Sequence, residues 1–281
     1  MTRIGVQCFT LRDEFPAHGV YETFRKVRDI GYRTAEVSAL PMTKENVAEL
    51  VRVREELGFE FASLSGGLTG EESLVNAFDT FVADAKALGA DMIRIGMLPP
   101  AAMRDPSTVA AFADDCQEVA VRLADHGIRL HYHNHHVDFA KYDGRYLLDV
   151  IAERSPLVGL EIDAHWVQRG GLDPVRTLRK YAGRVSMVHL KDYRIARLPD
   201  EVYTALDAGD RGPWQDAMQQ IVQFAEVGEG NLDFPSIIDT AVAIGADHLL
   251  VEQDEFYGRT AIECLTTSYL NLVAMGYGEL F

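Results

Sequence analysis

The residues best suited to chemistry lie at 128–139, IRLHYHNHHVDF, a short segment that contains four of the nine histidines of the chain. Apolar and polar residues alternate from 128 to 133, which is the period of a β-strand. Because residues two apart on a strand share a face, His131 and His133 point the same way and His135 follows at the end of the strand. Such a group of imidazoles favours a metal site, and the simpler alternative is a set of hydrogen-bonded histidines in a polar cleft.

Three later strand-like runs, at 158–163, 185–191 and 247–252, end in residues of similar chemistry. Carboxylates close the first and the third run, a histidine and a lysine close the second, and a histidine and a tryptophan follow the first. The residues concerned are Glu161, Asp163, His165, Trp166, His189, Lys191 and Glu252. Each of them alone could be a helix cap, a salt-bridge partner or a buried polar side chain, but four consecutive strand ends of this kind favour a shared site.

The rest of the chain indicates a scaffold that brings strand ends together, because strand-like runs alternate with longer amphipathic runs throughout. The predicted strands are 3–8, 33–37, 59–64, 91–96, 128–134, 158–163, 185–191 and 247–252. The predicted helices are 21–30, 43–57, 72–88, 105–126, 146–152, 173–181, 235–244 and 259–275, with another at 213–224 inside an irregular insertion at 194–234. Eight strands, each followed by a helix, predict an α/β fold, a single (β/α)8 TIM barrel that spans 1–281 as one domain. An open doubly wound sheet is the alternative.

In a (β/α)8 barrel the functional residues lie at the carboxyl ends of the strands. Strands five to eight would then bring His133, Asp163, His189 and Glu252 to one rim. Mixed imidazole and carboxylate ligands suit Mn²⁺, Zn²⁺, Co²⁺ or Fe²⁺, whereas Mg²⁺ prefers sites made only of oxygen atoms. The sequence therefore predicts one divalent metal ion bound by these four side chains.

The charge of the chain limits its partners. Its 281 residues carry a formal net charge of −16. Because a protein this acidic repels phosphate groups, we expect neither nucleic acid nor a membrane surface as a partner, and a cation or a neutral polyhydroxylated ligand fits better. No apolar run approaches the roughly 20 residues of a membrane span, and the first residues lack a signal-peptide pattern. Cys8, Cys116 and Cys264 have no close spacing, so we expect reduced thiols in a cytoplasmic protein.

Four motifs, in this order along the chain, carry a resemblance to a known family. They are IGVQCFTLRDE at 4–14, VHLKD at 188–192, VGEGNLDFPSII at 227–238 and LLVEQDE at 249–255. With the four strand-end residues, they resemble the xylose-isomerase-like superfamily of sugar phosphate isomerases/epimerases, which includes ketose 3-epimerases, inosose dehydratases and endonuclease IV. The resemblance implies a TIM barrel and a homodimer or homotetramer.

The resemblance also implies a metal site, typically of Mn²⁺ held by Glu, Asp, His and Glu from strands five to eight. Asp163, His189 and Glu252 match that set residue for residue, but His133 stands where the ketose epimerases carry glutamate. The change keeps a metal ligand and removes one carboxylate of the pair that moves protons across both faces of a sugar carbon.

The chemistry implied by the resemblance is proton abstraction next to a metal-polarised carbonyl, which gives an enediolate. Glu252 is expected to be the base, and Lys191 is expected to donate a hydrogen bond to a substrate oxygen. His135 or His165 could act as an acid. Trp166, and Trp214 with less support, could stack on a sugar ring. Glu161 could contact substrate, or it could be a buried partner of an arginine or a histidine.

The leading hypothesis is a metal-dependent sugar or keto-sugar isomerase/epimerase acting on a small sugar or cyclitol. The alternative is a dehydratase or lyase acting on an inosose or a 3-keto-glycoside, which needs no second opposed carboxylate. An endonuclease IV-like enzyme is a distant third, because Trp166 replaces a histidine that its zinc cluster requires. A sugar-binding protein without chemistry is the non-enzymatic hypothesis. The glycine-rich loops at 65–67 and 228–230 are expected to be tight turns and not phosphate sites.

Overall fold

Eight parallel strands form a closed barrel in the computed structural model, which describes residues 1–281. They are β1 (Arg3–Gln7), β2 (Thr34–Val37), β3 (Glu60–Gly66), β4 (Met92–Ile95), β5 (Arg129–His133), β6 (Gly159–Asp163), β7 (Val185–Leu190) and β8 (His248–Val251). Each strand pairs with its neighbours in the chain, and β1 pairs with both β2 and β8. The predicted (β/α)8 barrel is confirmed, and the open sheet is wrong because no barrel strand is left at an edge.

Helices surround the barrel and connect successive strands. They are α1 (Glu14–His18), α2 (Val20–Ile30), α3 (Lys44–Arg52, continued by a π-helical turn at Val53–Leu57), α4 (Phe78–Leu88), α5 (Pro106–Ala124), α6 (Leu147–Arg154), α7 (Ala164–Arg169), α8 (Pro174–Lys180), α9 (Asp200–Asp207), α10 (Gly212–Gln219), α11 (Phe234–Ala243) and α12 (Ala261–Ala274). None of them is long and apolar enough to cross a membrane.

The predicted helix starts agree with the structure where a capping side chain is present. Thr43 accepts a hydrogen bond from the backbone N–H of Asn46 at the start of α3, and Asp105 accepts from the N–H groups of Ser107 and Thr108 at the start of α5. These bonds satisfy N–H groups that have no partner inside the helix, so they fix where each helix begins.

The helix predicted at 72–88 begins six residues later, at Phe78. The preceding residues form turns, in which Asn76 donates from its backbone to the Ser73 hydroxyl and from its side chain to the carbonyl of Gly70. Side chains of this type compete with the helical hydrogen bonds of the backbone, and here they prevent the first turns of the helix.

The helix predicted at 213–224 is also wrong at its carboxyl end. Helix α10 stops at Gln219, and Val222–Ala225 is a strand that pairs antiparallel with Asp192–Ile195. We call these two strands the rim hairpin; α9 and α10 lie between them, and of these two helices only Val202 is buried. A β-branched and an aromatic residue, Val222 and Phe224, suit a strand once a partner is present.

The main apolar core lies between the barrel wall and the helices, and the barrel interior holds only a small apolar cluster. That cluster is Ala62, Met92, Met187 and Leu250. Side chains two residues further along these strands share the same inward face, so Arg94, His189 and Glu252 lie above the cluster, toward the carboxyl ends. Inside the barrel, these polar residues therefore lie in a layer above the apolar cluster.

Candidate metal centre

Four side chains from four consecutive strands meet at the carboxyl end of the barrel. Nε2 of His133 lies 3.4 Å from Oδ2 of Asp163. Nδ1 of His189 lies 3.5 Å from the same oxygen and 3.0 Å from Oε2 of Glu252. One ligand atom from each residue fits in a group whose members are all within 4.8 Å of one another. Metal bonds of about 2.0–2.2 Å place neighbouring ligands about 3 Å apart, which matches these distances.

The donor atoms themselves indicate a cation. His133 Nε2, Asp163 Oδ2, His189 Nδ1 and Glu252 Oε2 are all buried, and none makes a hydrogen bond of regular geometry, although Nζ of Lys191 forms an ion pair with Glu252 Oε2 at 2.6 Å. Native proteins rarely leave buried polar atoms in this state, and here one such atom from each residue faces the same point. The residues present therefore fit a divalent metal ion.

The two histidines are oriented by contacts on their other ring nitrogens. Nδ1 of His133 lies 2.9 Å from the carbonyl oxygen of Gly96, which only accepts, so Nδ1 carries the proton and Nε2 faces Asp163 with a lone pair. Burial lowers the pKa of His133, and the neighbouring His189 lowers it further, which keeps the ring neutral. A lone pair directed at a carboxylate oxygen is repulsive unless a cation lies between them.

The local structure also orients Asp163. Its Oδ1 accepts from the backbone N–H of Trp166 at 2.9 Å and so caps α7, which leaves Oδ2 for the metal centre. The side chain of Asn134 accepts from the backbone N–H of Asp163 at 3.0 Å and joins the ends of β5 and β6. The helix cap and the metal ligand are thus two oxygens of one carboxylate.

A layer of buried charges lies directly beneath the metal centre. Nε of Arg94 is 2.6 Å from Glu36 and 3.3 Å from Glu161, and Nε2 of His189 is 3.0 Å from Oε1 of Glu161. Burial and the charge of Glu36 raise the pKa of Glu161 to about 8. Burial alone would lower the pKa of His189, but the carboxylates of Glu161 and Glu252 raise it well above its usual value. Glu161 therefore holds His189 from below, as the buried partner of a histidine and an arginine.

Lys191 lies on the open side of the metal centre. Its Nζ is 2.6 Å from Oε2 of Glu252, 3.1 Å from Asp254 and 3.5 Å from Asp163, and the side chain is 2 % exposed. Burial would lower the pKa of Lys191, but Glu252 and Asp163 raise it well above its usual value, so the ammonium is charged at neutral pH. Burial raises the pKa of Asp254 to about 6, because Lys191 only partly offsets the loss of water around it.

A group of contacting rings lies beside the site, next to the ends of β5 and β6. We call it the aromatic wall, and it consists of His135, His136, His165, Trp166 and Phe224. The ring of Trp166 contacts those of His135, His136 and His165 with centroid separations of 5.1, 5.0 and 4.9 Å. Phe224 of the rim hairpin stacks on His165 at 4.4 Å, and Nζ of Lys191 lies 5.1 Å from the Trp166 centroid. This wall brings the predicted substrate-binding residues next to the metal centre. Trp214 is on α10, outside the wall.

The loop after the rim hairpin binds a carboxylate of the protein itself. The N–H groups of Gly228 and Gly230 donate to Oδ2 of Asp192 at 3.0 and 2.9 Å, and that of Leu232 donates to Oδ1 at 3.2 Å. A Cβ atom at Gly230 would collide with the same carboxylate, so the position requires glycine. The prediction of a tight turn at 228–230 agrees with this contact, which links the VHLKD and VGEGN motifs.

The free energy of unfolding of the protein is expected to depend on pH through Asp138. Its carboxyl accepts from the Tyr132 hydroxyl at 2.8 Å and from the backbone N–H of His135 at 2.7 Å, and burial raises its pKa from 3.8 to about 7. Between these two values the unfolded chain has released a proton that the folded protein still holds, so stability falls as pH rises through this range. Asp138→Asn is expected to remove this loss.

The measurement is urea unfolding of both proteins with chelator present, from about pH 5 to about pH 8. The free energy of unfolding of Asp138→Asn, relative to that of the unmodified protein, should rise with pH and level off near the pKa of Asp138. The other titrating groups are common to both proteins and cancel in this difference. A difference that stays constant with pH would contradict the assignment.

The comparisons with known proteins agree with the fold. A family model described as the xylose isomerase-like TIM barrel matches residues 24–267, and the chain belongs to this family. A sugar phosphate isomerase/epimerase from Parabacteroides distasonis has a similar structure, with a TM-score of 0.74 and 19% identity over 96% of this chain and 98% of that one. A probable 3-DHS dehydratase from Bacillus anthracis, AsbF, superposes with a TM-score of 0.64 and 15% identity over 97% and 99% of the two chains.

One curated relative is similar in sequence. The rhizopine catabolism protein MocC from Rhizobium meliloti is 31% identical over 147 residues, which are 52% of this chain and 42% of that protein. The match thus spans less than half the length of that relative. The family contains enzymes of the sugar isomerase/epimerase type and also dehydratases, and the structural likenesses, at under 25% identity, show the fold alone.

The structure brings together His133, Asp163, His189, Glu252 and Lys191, and it places His135, His165 and Trp166 in the adjacent wall. Four residues at the site were missed by the sequence analysis: Glu36, Arg94, Asp254 and Phe224. Single charged residues inside the apolar strands TAEV and MIRI were the available signal for the first two. Phe224 had been predicted as the end of a helix, and only its pairing with the other hairpin strand brings it to the site.

Proposed function

We propose that the protein is a divalent-metal-dependent isomerase/epimerase that acts on a small sugar, keto-sugar or cyclitol. The single observation that carries the proposal is the group of four buried ligand atoms without hydrogen-bond partners, beside a buried lysine. Its mixed nitrogen and oxygen donors suit Mn²⁺, Zn²⁺, Co²⁺ or Fe²⁺, and the family resemblance favours Mn²⁺ among them. The net charge of −16 supports an uncharged substrate and no nucleic acid or anionic membrane partner.

The metal ion, when bound, would polarise a substrate carbonyl and stabilise the negative charge that develops on its oxygen. Glu252 is the base that removes the adjacent C–H proton. Burial opposes its ionisation, but Lys191 and His189 keep its pKa well below the usual value, so it is ready as a carboxylate. Lys191, which is charged and 2.6 Å from Glu252, donates a hydrogen bond to a substrate oxygen. Burial lowers the pKa of His135 to about 3 and that of His165 to about 4, so neither imidazole is protonated at neutral pH, and Lys191 is the charged proton donor beside Glu252.

A specific observation favours dehydration as the second candidate. His133 stands where the related ketose epimerases carry a glutamate, so the site has no second carboxylate at this position. Burial and His189 lower the pKa of His133, which makes its imidazole a weak base. Elimination of a β-hydroxyl needs one base and one proton donor, which Glu252 and Lys191 provide as neighbours. Epimerisation by two opposed bases would instead need a second base from the aromatic wall.

Incubation of the Mn²⁺-loaded protein with a panel of ketoses and inososes in D₂O tests both candidates. An isomerase/epimerase incorporates deuterium from the solvent at a carbon next to the carbonyl. In H₂O its product is an isomer with the same mass as the substrate. A dehydratase produces a new ultraviolet absorption from a conjugated enone and loses water. Glu252→Gln is the matched control that should abolish either signal. A protein that gives neither signal with any of these compounds would contradict the enzymatic proposal and favour a sugar-binding role.

A further inference from the structure

Three buried ring nitrogens in the aromatic wall have no hydrogen bond and lie outside the group of four ligands, and Nδ1 of His135 is one of them. Nε2 of His165 and Nε1 of Trp166 are buried and make no hydrogen bond, and the two rings are in contact at a centroid separation of 4.9 Å. Tryptophan does not bind metal ions, and His165 lies outside the group of four ligands. Because a buried polar atom without a partner is costly, these nitrogens indicate a ligand that completes them.

The direction of each missing hydrogen bond is fixed by the structure. Nδ1 of His165 lies 2.8 Å from the carbonyl oxygen of Asp192, which only accepts, so Nδ1 carries the proton and Nε2 is an acceptor. Nε1 of Trp166 can only donate. The wall therefore offers one acceptor and one donor on two neighbouring rings.

A hydroxyl group matches this pair, because it donates one hydrogen bond and accepts others. An ionised phosphate or carboxylate oxygen only accepts and would leave His165 facing a second lone pair, whereas an ammonium only donates and would leave Trp166 unpaired. A ketone oxygen also only accepts hydrogen bonds, so it too would leave Nε2 of His165 without a donor. The pair thus discriminates between a free hydroxyl and its oxidised or phosphorylated forms.

The pair lies next to the proposed reaction centre. The backbone N–H of Trp166 donates to Asp163, and Nζ of Lys191 lies 5.1 Å from the Trp166 ring centroid and 5.6 Å from that of Phe224. The Phe224 ring stacks on the face of the His165 ring, with the two planes 20° apart, which holds the imidazole in place. A hydroxyl bound here would belong to the same molecule that reaches the metal centre.

We propose that His165 and Trp166 form a hydroxyl-selective pair, which restricts the substrate to an uncharged polyol with one particular free hydroxyl near its reacting carbon. The proposal rests on the proposed function, since it takes the same site as the place of binding. It defines the substrate class more narrowly, because the hydroxyl read by this pair must be neither phosphorylated nor oxidised.

Binding of unreactive probes tests the proposal separately from turnover. The probes are myo-inositol and methyl α-D-glucoside, which lack a free carbonyl, and their complete sets of monodeoxy derivatives, titrated calorimetrically into the Mn²⁺-loaded protein. Loss of one hydroxyl should weaken binding by about 10- to 100-fold in the unmodified protein, because both nitrogens lose their partner. In His165→Phe and Trp166→Phe the same loss should matter little, while the penalties for the other hydroxyls remain.

His165→Gln, which keeps an acceptor at about the position of Nε2, should retain part of the selectivity, and Trp214→Phe should retain all of it. Equal weakening for every probe, or an unchanged profile in both ring variants, would overturn the proposal, as would a failure of both parent probes to bind. Hydroxyl selectivity without turnover of any carbonyl compound would contradict the proposed function and leave the pair intact. Turnover without hydroxyl selectivity would overturn the hydroxyl-selective pair and leave the proposed function intact.

Discussion

Arg94→Met is expected to lower the free energy of unfolding by about 3–5 kcal/mol, because it removes the guanidinium that pairs with the buried carboxylate of Glu36. Nε of Arg94 lies 2.6 Å from Glu36 and 3.3 Å from Glu161, and both carboxylates have no exposed side-chain surface. Burial opposes the ionisation of Glu36, yet Arg94 holds its pKa well below the usual value, so the loss of the guanidinium leaves an uncompensated charge. Methionine keeps most of the volume and removes the charge alone.

Urea unfolding in the presence of a chelator measures this effect without a contribution from bound metal. Arg154→Met is the matched control, because Arg154 pairs with Asp114 at the surface, where ion pairs contribute little. A triple variant that adds Glu36→Gln and Glu161→Gln to Arg94→Met should recover part of the lost stability. If Arg94→Met is as stable as the control, the buried charge layer does not support the fold as described.

Lys191→Met is expected to lower kcat by about 10²–10⁴-fold, which is the usual contribution of a positioned proton donor. Nζ of Lys191 contacts Glu252, Asp254 and Asp163, and no other lysine and no arginine forms an ion pair with Glu252. The same substitution removes a positive charge next to two metal ligands, so metal affinity should stay the same or increase. A large loss of rate with full metal content is thus the expected combination.

The assay is turnover of whichever carbonyl substrate the panel identifies, with metal content measured on the same samples. Lys180→Met, which breaks an exposed pair with Asp149, is the control and should leave both quantities unchanged. Loss of metal together with activity in Lys191→Met would show that the lysine supports the metal centre and does not act on the substrate. An unchanged kcat would remove Lys191 from the mechanism.

The fold could be predicted from the sequence because its signals are local. Eight strands of predominantly apolar residues alternate with helices whose first turns are marked by Thr43, Asp105 and Asp173. Two of the differences arose where local signals were overruled by other contacts, and the short helices α1, α7 and α9 were not predicted. Ser73 and Asn76 form turns that delay α4, and Val222 and Phe224 form a strand only because residues 192–195 pair with them.

The meeting of the four candidate ligands could be predicted because strand ends of a barrel lie on one rim. The layer below them could not, since the pairing of Glu36 with Arg94 depends on a separation of 58 residues and on the register of β2, β3 and β4. The role of Asp192 was also hidden, because its four backbone donors come from its own neighbour and from a loop about forty residues away. Contacts of this kind follow from the closed barrel and not from any local pattern.

Metal content is the measurement that tests the account most directly. Protein purified without chelator should contain about one Mn, Zn, Co or Fe ion per chain. His133→Ala and Glu252→Gln should each lose that ion, while His126→Ala and Glu153→Gln, which change exposed residues outside the site, should keep it. Loss in His133→Ala would establish that a histidine has replaced the family glutamate as a ligand. A chain that carries no metal, and takes up none when Mn²⁺ or Zn²⁺ is added, would contradict the metal centre and the carbonyl chemistry that depends on it.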